Sequence, residues 1–288
     1  MKIALIGANG QLGSDIITAA NDLEDFSITP LTHEQIKIED PQSVRSTLDP
    51  ITPDMVISTA AFHRVDDIEA EYEKAFQINA FATKSLAMYC EEKKIPFMYF
   101  SSDYVFGQEA SRNTPYTETD APGPLSTYGV SKLAGEHFAS AYCSKVYVIR
   151  SSGLYGVKGS SGKGGNFVQT ILQKARARES LKVVSDQVLT PTSTQDLAQQ
   201  IIVIIKNEKP GLYHATNEGQ CSWYEFTQEI LRLAKLDVKV EPITSDQYPA
   251  AAKRPHYSVL ENAKLKSMNC NVMRDWKVAL AEYLKNGL

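Results

Sequence analysis

Tyr128 and Lys132 lie four residues apart in the stretch STYGVSK, Ser126 to Lys132. Residues i and i+4 share one face of an α-helix, and the KLAGEHFASAY that follows reads as helix. A lysine one turn away lowers the pKa of a phenol. The phenol then gives or takes a proton near neutral pH. The same pair also suits a solvated helix face, so other elements must discriminate.

The second chemical stretch is KIALIGANGQLG at the start of the chain. Lys2 to Ile6 read as a buried parallel strand. Gly7, Gly10 and Gly13 follow at G-x-x-G-x-x-G spacing, and SDIITAA continues as helix. Strand, glycine turn and helix in that order are what a dinucleotide site requires. Gly7 permits the tight turn, Gly10 lets a pyrophosphate approach the backbone, and Gly13 packs the helix on the sheet. Free N–H groups at the helix start favour phosphate. A plain strand–helix turn is the alternative.

Elements that could position these groups alternate down the chain. FSITPL reads as a second strand and DMVISTAA as a third. FMYFSSD is a fourth and YVIRSS a fifth. DPQSVRSTL is a short helix with Asp40 as N-cap and Pro41 at its first position. EYEKAFQINAFATKSLAMYCEEKK has apolar residues at helical spacing. Such alternation predicts an α/β fold, a Rossmann-type doubly wound parallel sheet with helices on both faces. Ligands then bind beyond the carboxyl ends of the strands. Ser101, Ser102 and Asp103 stand at one such end, and Ala60 and Ala61 at another.

The division expected is a nucleotide-binding domain over 1–150 and a smaller C-terminal substrate-binding lobe over 151–288, with some later segments returning to the first domain. In the lobe, NFVQTILQKARAR, STQDLAQQIIVIIK and WYEFTQEILRLAKL read as helices, the second capped by Ser193 or Thr194. LKVVSDQ and GLYHAT read as strands.

Composition narrows the class. The 288 residues can bury a sizeable core. Charges of both signs are mixed, with a formal net charge of −4 and no long basic run, so no nucleic-acid surface is expected. Cys90, Cys143, Cys221 and Cys270 are dispersed, which reads as structural thiols in a reducing compartment rather than a zinc site. No apolar run spans a bilayer, and no signal peptide opens the chain. The expectation is a soluble cytoplasmic protein.

A glycine-rich nucleotide turn, a serine at the end of the fourth strand and Tyr-x-x-x-Lys together resemble the short-chain dehydrogenase/reductase superfamily, in its extended branch. AAFHRVDDIE, SSDYVFG, PYTETDAPGPLSTYGVSKLAGE, GKGGNFVQTIL, VVSDQVLTPTSTQDLA, GLYHATNEGQCSWYEF and RPHYSVLEN occur in the order seen in dTDP-4-dehydrorhamnose reductases. The resemblance covers most of the chain. It implies reduction of the 4-keto group of dTDP-6-deoxy-L-lyxo-4-hexulose to dTDP-L-rhamnose, with NADPH or NADH as hydride donor and a dTDP-linked 4-keto-6-deoxyhexose as partner.

The resemblance also implies roles. Tyr128 exchanges the proton at the carbonyl oxygen, Lys132 holds the nicotinamide ribose and tunes Tyr128, and Ser102 hydrogen-bonds the reacting oxygen. Gly7, Gly10, Gln11, Leu12, Gly13, Lys37, Ile38, Ala60, Ala61 and Phe62 fall on the cofactor side, with Tyr128 and Lys132. Ser102, Asp103, Val105, Phe106, Gly153, Gln187 and Arg254 fall on the substrate side. Arg254 suits a phosphate or a structural ion pair.

There are departures. Ser102 stands where the family usually has Thr. Gly153 stands where many members carry a Trp against the substrate, so that contact must be remade, with the VKGSSGKGGN loop as one source. His63 and Arg64 replace other residues near the cofactor crevice, where Arg64 suits either a diphosphate or a surface salt bridge. Thr32 and His33 end the second strand without an acid, so NADPH is favoured slightly and NADH also fits. Trp223 and Trp276 read as core residues. Asp15 and Asp22 are first-helix acids without a clustered ligand set, so no metal is expected. A homodimer is left open.

Three other functions remain open. A dehydratase would want Glu after the strand-four Asp, where this chain has Tyr104. An epimerase would keep NAD bound through turnover. A non-catalytic subunit resembling the regulatory subunit of methionine adenosyltransferase would not need an intact Ser, Tyr and Lys set. Related 4-keto reductases make other 6-deoxyhexoses.

Overall fold

The computed structural model describes residues 1–21, 23–159, 164–207 and 209–286. Its centre is a six-stranded sheet of β1 (Lys2–Ile6), β2 (Ser27–Leu31), β3 (Met55–Ser58), β4 (Phe97–Ser102), β5 (Val146–Ser151) and β6 (Gly211–His214). The spatial order is β6-β5-β4-β3-β1-β2, with every pair parallel. The sixth strand comes from the second half of the chain and pairs with β5 through Gly211–Tyr147 to His214–Arg150.

The strands read as continuous apolar runs because helices cover both faces. Successive side chains point to opposite faces, and the two cores divide accordingly. Ala4, Ile6, Val56, Phe97, Tyr99 and Val148 pack on one side. Ile3, Leu5, Ile57, Met98, Tyr147 and Ile149 pack on the other.

Helix α1 (Gln11–Ala20) follows β1, and α2 (Pro41–Ile51) follows β2. Asp40 caps α2 by accepting from the Gln42 N–H at 2.9 Å, with Pro41 at the first position as the sequence predicts. The long helical stretch before β4 is not uniform. Here α3 (Tyr72–Phe76) passes through a π-helical turn (Gln77–Phe81) into α4 (Ala82–Lys93). Such turns widen the backbone for one residue and often mark a functional position. This one carries Asn79, which holds both the N–H and the C=O of Phe62 and also donates to Ser131 Oγ at 3.0 Å. The loop after β3 is thereby tied to α5 (Thr127–Tyr142), the helix of Tyr128 and Lys132.

A third core joins α6 (Phe167–Arg176), α8 (Trp223–Ala234) and the C-terminal helix (Trp276–Asn286). Between α6 and α8 comes α7 (Thr194–Asn207), which returns to the sheet and packs on α1. Leu197 and Ile201 of α7 share a core with Leu12 and Ile16 of α1. Among the described residues no helix is long and apolar enough to cross a membrane. All four cysteines are free thiols.

Candidate active site

The strand order reverses beside β1, and ligands of open parallel sheets bind at such a point, beyond the carboxyl ends of the strands. A cavity of about 540 Å³ opens there. Its walls come from the ends of all five leading strands, including Gly7 and Gly10 after β1, Ile36 and Ile38 after β2, Ala60 and Ala61 after β3, Ser101 to Tyr104 at β4 and Gly153 after β5. Tyr128 and Lys132 of α5 enter the same cavity. The spacing that opened the sequence argument is thus a spacing on one buried helix face, not a solvated one.

The glycine turn has the shape a pyrophosphate needs. Gly7 has φ +84°, and a Cβ there would sit 2.5 Å from Thr59 Oγ1. At Gly13 a Cβ would lie 2.3 Å from the Gly7 carbonyl oxygen, so the helix could not approach the strand. Gly10 is the N-cap of α1 and offers no side-chain acceptor, which leaves the first N–H groups of the helix free. Ser101 Oγ and Ser151 Oγ, deeper on the cavity wall, are buried without a protein hydrogen-bond partner. An uncapped helix start and orphaned hydroxyls suit a dinucleotide with phosphates at one end and a polar ring at the other.

Of the other residues expected on the cofactor side, Gln11, Leu12, Ile38, Ala60 and Ala61 line the cavity. The Gln11 amide is committed to protein, donating to Leu154 O at 3.1 Å and accepting from Gly156 N at 3.0 Å. Two further residues expected there do not line it. Lys37 is exposed and off the wall, because the side chains at 36 and 38 turn inward. Phe62 is also off the wall, since Asn79 clamps its backbone and its ring lies under Lys74. Arg64 turns to Asp67 at 3.1 Å and leaves the crevice to His63. Glu39 supplies an acid that inspection of the strand end missed.

Ser102, Asp103 and Gly153 line the cavity, but four other residues assigned to the substrate side do not. Val105 and Phe106 are fully buried in a separate core, where Phe106 stacks on Tyr116 with centroids 4.1 Å apart. Gln187 is buried and donates to Ser245 Oγ. Arg254 grips Asp66 with two nitrogens, at 3.1 and 2.6 Å, beside Tyr104. Val105 and Phe106 are held by apolar burial, Gln187 by the Ser245 hydroxyl and Arg254 by the Asp66 carboxylate. Gly153 has φ +53°, and a Cβ there would meet Leu189 Cδ1 at 2.8 Å, so a side chain here would be strained and would have to displace Leu189.

The aromatic surface comes from elsewhere. Trp223, expected in the core, is half-buried on the cavity wall, against Phe167 with centroids 4.5 Å apart. Trp276 is in the core as expected. Of the VKGSSGKGGN loop, Gly165 and Asn166 reach the cavity, while residues 160–163 lie outside the described residues. Asp15 accepts from Thr194 Oγ1, and Asp22 is likewise outside the described residues. Among the described residues no three His, Cys, Asp or Glu side chains are grouped to hold a metal.

The electrostatics differ from the simple pairing of Tyr128 with Lys132. Burial pushes the Tyr128 phenol up to about 12; a hydrogen bond with Ser102 opposes that rise and the charge of Asp103 adds to it. Burial brings Lys132 down to about 7, opposed by the charge of Glu136. A lysine so readily neutralised does little to acidify its neighbour. The expected lowering of the phenol is therefore absent from the protein alone. The Ser102 hydroxyl donates to Asp103 Oδ1 at 3.0 Å.

Comparison with known proteins agrees with this geometry. The family model described as the RmlD substrate binding domain matches residues 1–288. The spore coat polysaccharide biosynthesis protein SpsK of Bacillus subtilis is 35% identical, covering 99% of this chain and 97% of SpsK. The crystal structure of a dTDP-4-dehydrorhamnose reductase from Clostridium acetobutylicum superposes with a TM-score of 0.93 at 39% identity, covering 99% of both chains. The Bacillus anthracis dTDP-4-dehydrorhamnose reductase, solved in complex with NADP, gives 0.90 at 33% identity, covering 99% of this chain and 98% of that one. The chain belongs to the dTDP-4-dehydrorhamnose reductase family and has its Rossmann-type fold.

Proposed function

We propose that this protein reduces the C4 carbonyl of dTDP-6-deoxy-L-lyxo-4-hexulose to dTDP-L-rhamnose, drawing on NADPH and accepting NADH. Membership of the family makes it an NAD(P)H-dependent oxidoreductase acting on the keto group of a nucleotide sugar. The observation that carries the finer reading is the cavity itself. Tyr128, Lys132 and Ser102 share it with the open glycine turn, and half-buried Trp223 and Phe167 form a further wall.

Gly7, Gly10 and the first N–H groups of α1 hold the pyrophosphate, and Ile36 and Ile38 flank the adenosine end. Lys132 holds the nicotinamide ribose. Once bound, the dinucleotide supplies a hydride to C4. Tyr128 gives its phenolic proton to the oxygen that becomes the C4 hydroxyl. The phenol is protonated throughout the neutral range because of its burial, so the acid is ready before the sugar arrives. Trp223 and Phe167 provide an aromatic surface for the sugar nucleotide, at a site where Gly153 provides none. Contacts to the remote dTDP group hold C4 in register, so the free 4-keto sugar should turn over very poorly.

The test supplies the dTDP-4-keto-L-sugar, made in situ by its upstream epimerase, with NADPH, and identifies the product by NMR. NADPH consumption with dTDP-L-rhamnose formed supports the proposal. Another 6-deoxyhexose would reassign the stereochemistry. No NADPH consumption by folded, cofactor-binding protein would sink it.

A further inference from the structure

The helix that carries Tyr128 is gripped at its first residue by a side chain from a distant loop. Glu69 ends the short helical turn Asp67–Glu69, which follows β3. Its Oε1 accepts from the Thr127 N–H at 2.9 Å, and its Oε2 accepts from Thr127 Oγ1 at 2.7 Å. Both carboxylate oxygens are thus engaged by the residue next to Tyr128, across 58 positions of chain.

Helix α5 has a cap without this grip. Ser126 is extended and its Oγ accepts from the Gly129 N–H at 3.3 Å, while its carbonyl accepts from the Val130 N–H at 3.0 Å. What Glu69 adds is a cross-link between two segments, and the turn it belongs to is itself fixed. Ile68 is fully buried with Phe62 and Ala75, and the Tyr128 ring packs against that cluster. Asp66, just before the turn, accepts from Arg254 and from the Ala252 N–H at 3.1 Å. The same loop carries Ala60 and Ala61 on the cavity wall. The cofactor wall, the Tyr128 ring and the backbone entering Tyr128 are therefore all tied to one short stretch of chain. Ser131 Oγ holds the other side of the residue by donating to the Tyr128 carbonyl at 2.8 Å.

We propose that Glu69 is a positioning residue: by clamping Thr127 it fixes the Tyr128 phenol in register with the cofactor wall of the cavity. The proposal rests on Tyr128 being the proton donor. Glu69 exchanges no proton in the step, and its two hydrogen bonds to Thr127 persist through it. The phenol has to stand in a fixed relation to both the dinucleotide and the carbonyl, and a misplacement of about 1 Å can cost about 10²-fold in rate. A cap on α5 alone would not supply that relation, because Ser126 belongs to the same segment as Tyr128.

The experiment measures kcat and KM for Glu69→Ala, Glu69→Gln, Tyr128→Phe and the Glu69→Ala, Tyr128→Phe double variant, in the full chain with the dTDP-4-keto-L-sugar and NADPH. NADPH binding is followed by fluorescence titration and folding by thermal unfolding. Glu69→Ala should fold, since Ser126 still caps α5. Its kcat should fall about tenfold, with NADPH affinity within about twofold of the parent. Glu69→Gln should recover kcat to within about threefold, because its amide oxygen accepts from the Thr127 N–H and the Thr127 hydroxyl can accept from its NH₂. In the Tyr128→Phe background no phenol remains to be positioned, so Glu69→Ala should lower the residual kcat by less than about twofold. An unchanged kcat for Glu69→Ala, an equal fold loss with and without the phenol, or a loss of NADPH affinity matching the loss of kcat would overturn the proposal. A Glu69→Gln variant as slow as Glu69→Ala would assign the effect to charge and overturn it as well. If Glu69→Ala does not fold, Thr127→Val takes its place: it removes the hydroxyl bond alone and should lower kcat about 2–5-fold at unchanged NADPH affinity, and an unchanged kcat would overturn the proposal. Near-normal turnover by Tyr128→Phe would instead remove the reading of Tyr128 as donor, so the two failures are distinct.

Discussion

The Lys132 ammonium lies 4.2 Å from the centroid of the Tyr99 ring, with only 2% of the residue exposed. A buried cation on an aromatic face keeps some stabilisation, but the loss of solvent dominates and its pKa falls to about 7. Lys132 is one turn before Glu136, which is itself paired with Arg150. The lysine is therefore held in place by packing and waits without a carboxylate of its own.

The first prediction concerns stability. The folded pKa of Lys132 is below the ordinary lysine value of 10.5. Between about 7 and 10.5 the unfolded chain binds more protons than the folded one, so stability attributable to this group rises with pH across that window. Lys132→Met removes the buried charge. The cofactor-free variant should be more stable than the parent at pH 7 and below, with the gap closing as pH rises. Thermal unfolding across this range checks it. The same variant should bind NADPH more weakly and turn over more slowly.

Tyr128→Phe keeps the ring, which packs against the cluster of Phe62, Ile68 and Ala75 and meets Tyr104 edge-on with centroids 5.5 Å apart. It deletes the proton. The expected loss is roughly 10²–10⁴ in kcat, with little change in NADPH affinity by fluorescence titration. Near-normal kcat would take Tyr128 out of the mechanism.

Trp223→Ala tests the aromatic wall. Trp223 begins α8, whose start is fixed by a reciprocal Ser222–Glu225 capping box, so the helix should survive the change. The KM for the dTDP-sugar should rise roughly 2–10-fold, and the KM for NADPH should not. Equal effects on both would place Trp223 against the cofactor.

Glu136→Ala probes the ion pair beneath the site. Arg150 meets Glu136 through two nitrogens, at 2.9 and 2.7 Å, with both side chains buried. Removing one partner leaves a buried guanidinium uncompensated, at a cost of about 3–5 kcal/mol. Denaturant unfolding measures it. Joint replacement of both by apolar residues of similar volume should recover much of that loss, and failure to recover it would argue that Arg150 acts through Phe106, whose ring centroid is 5.0 Å away.

The sequence by itself determined the parallel sheet, the glycine turn and the Tyr128–Lys132 face. Each is local: apolar runs, a fixed glycine spacing and a four-residue interval are set by neighbours along the chain. Even the Asp40–Pro41 helix start was legible, because a cap involves residues two apart. What only the tertiary structure decided is which side chains reach the cavity. Val105 and Phe106 were drawn into a core with Val259 and Leu260, Arg254 was taken by Asp66 across 188 positions, and Trp223 was brought to the wall beside Phe167. The direction of the Ser102 hydroxyl was equally hidden, because it depends on a carboxylate fixed by Ser258, 155 positions away. Burial and hydrogen-bond competition are settled among groups distant in sequence, and no local pattern records their outcome.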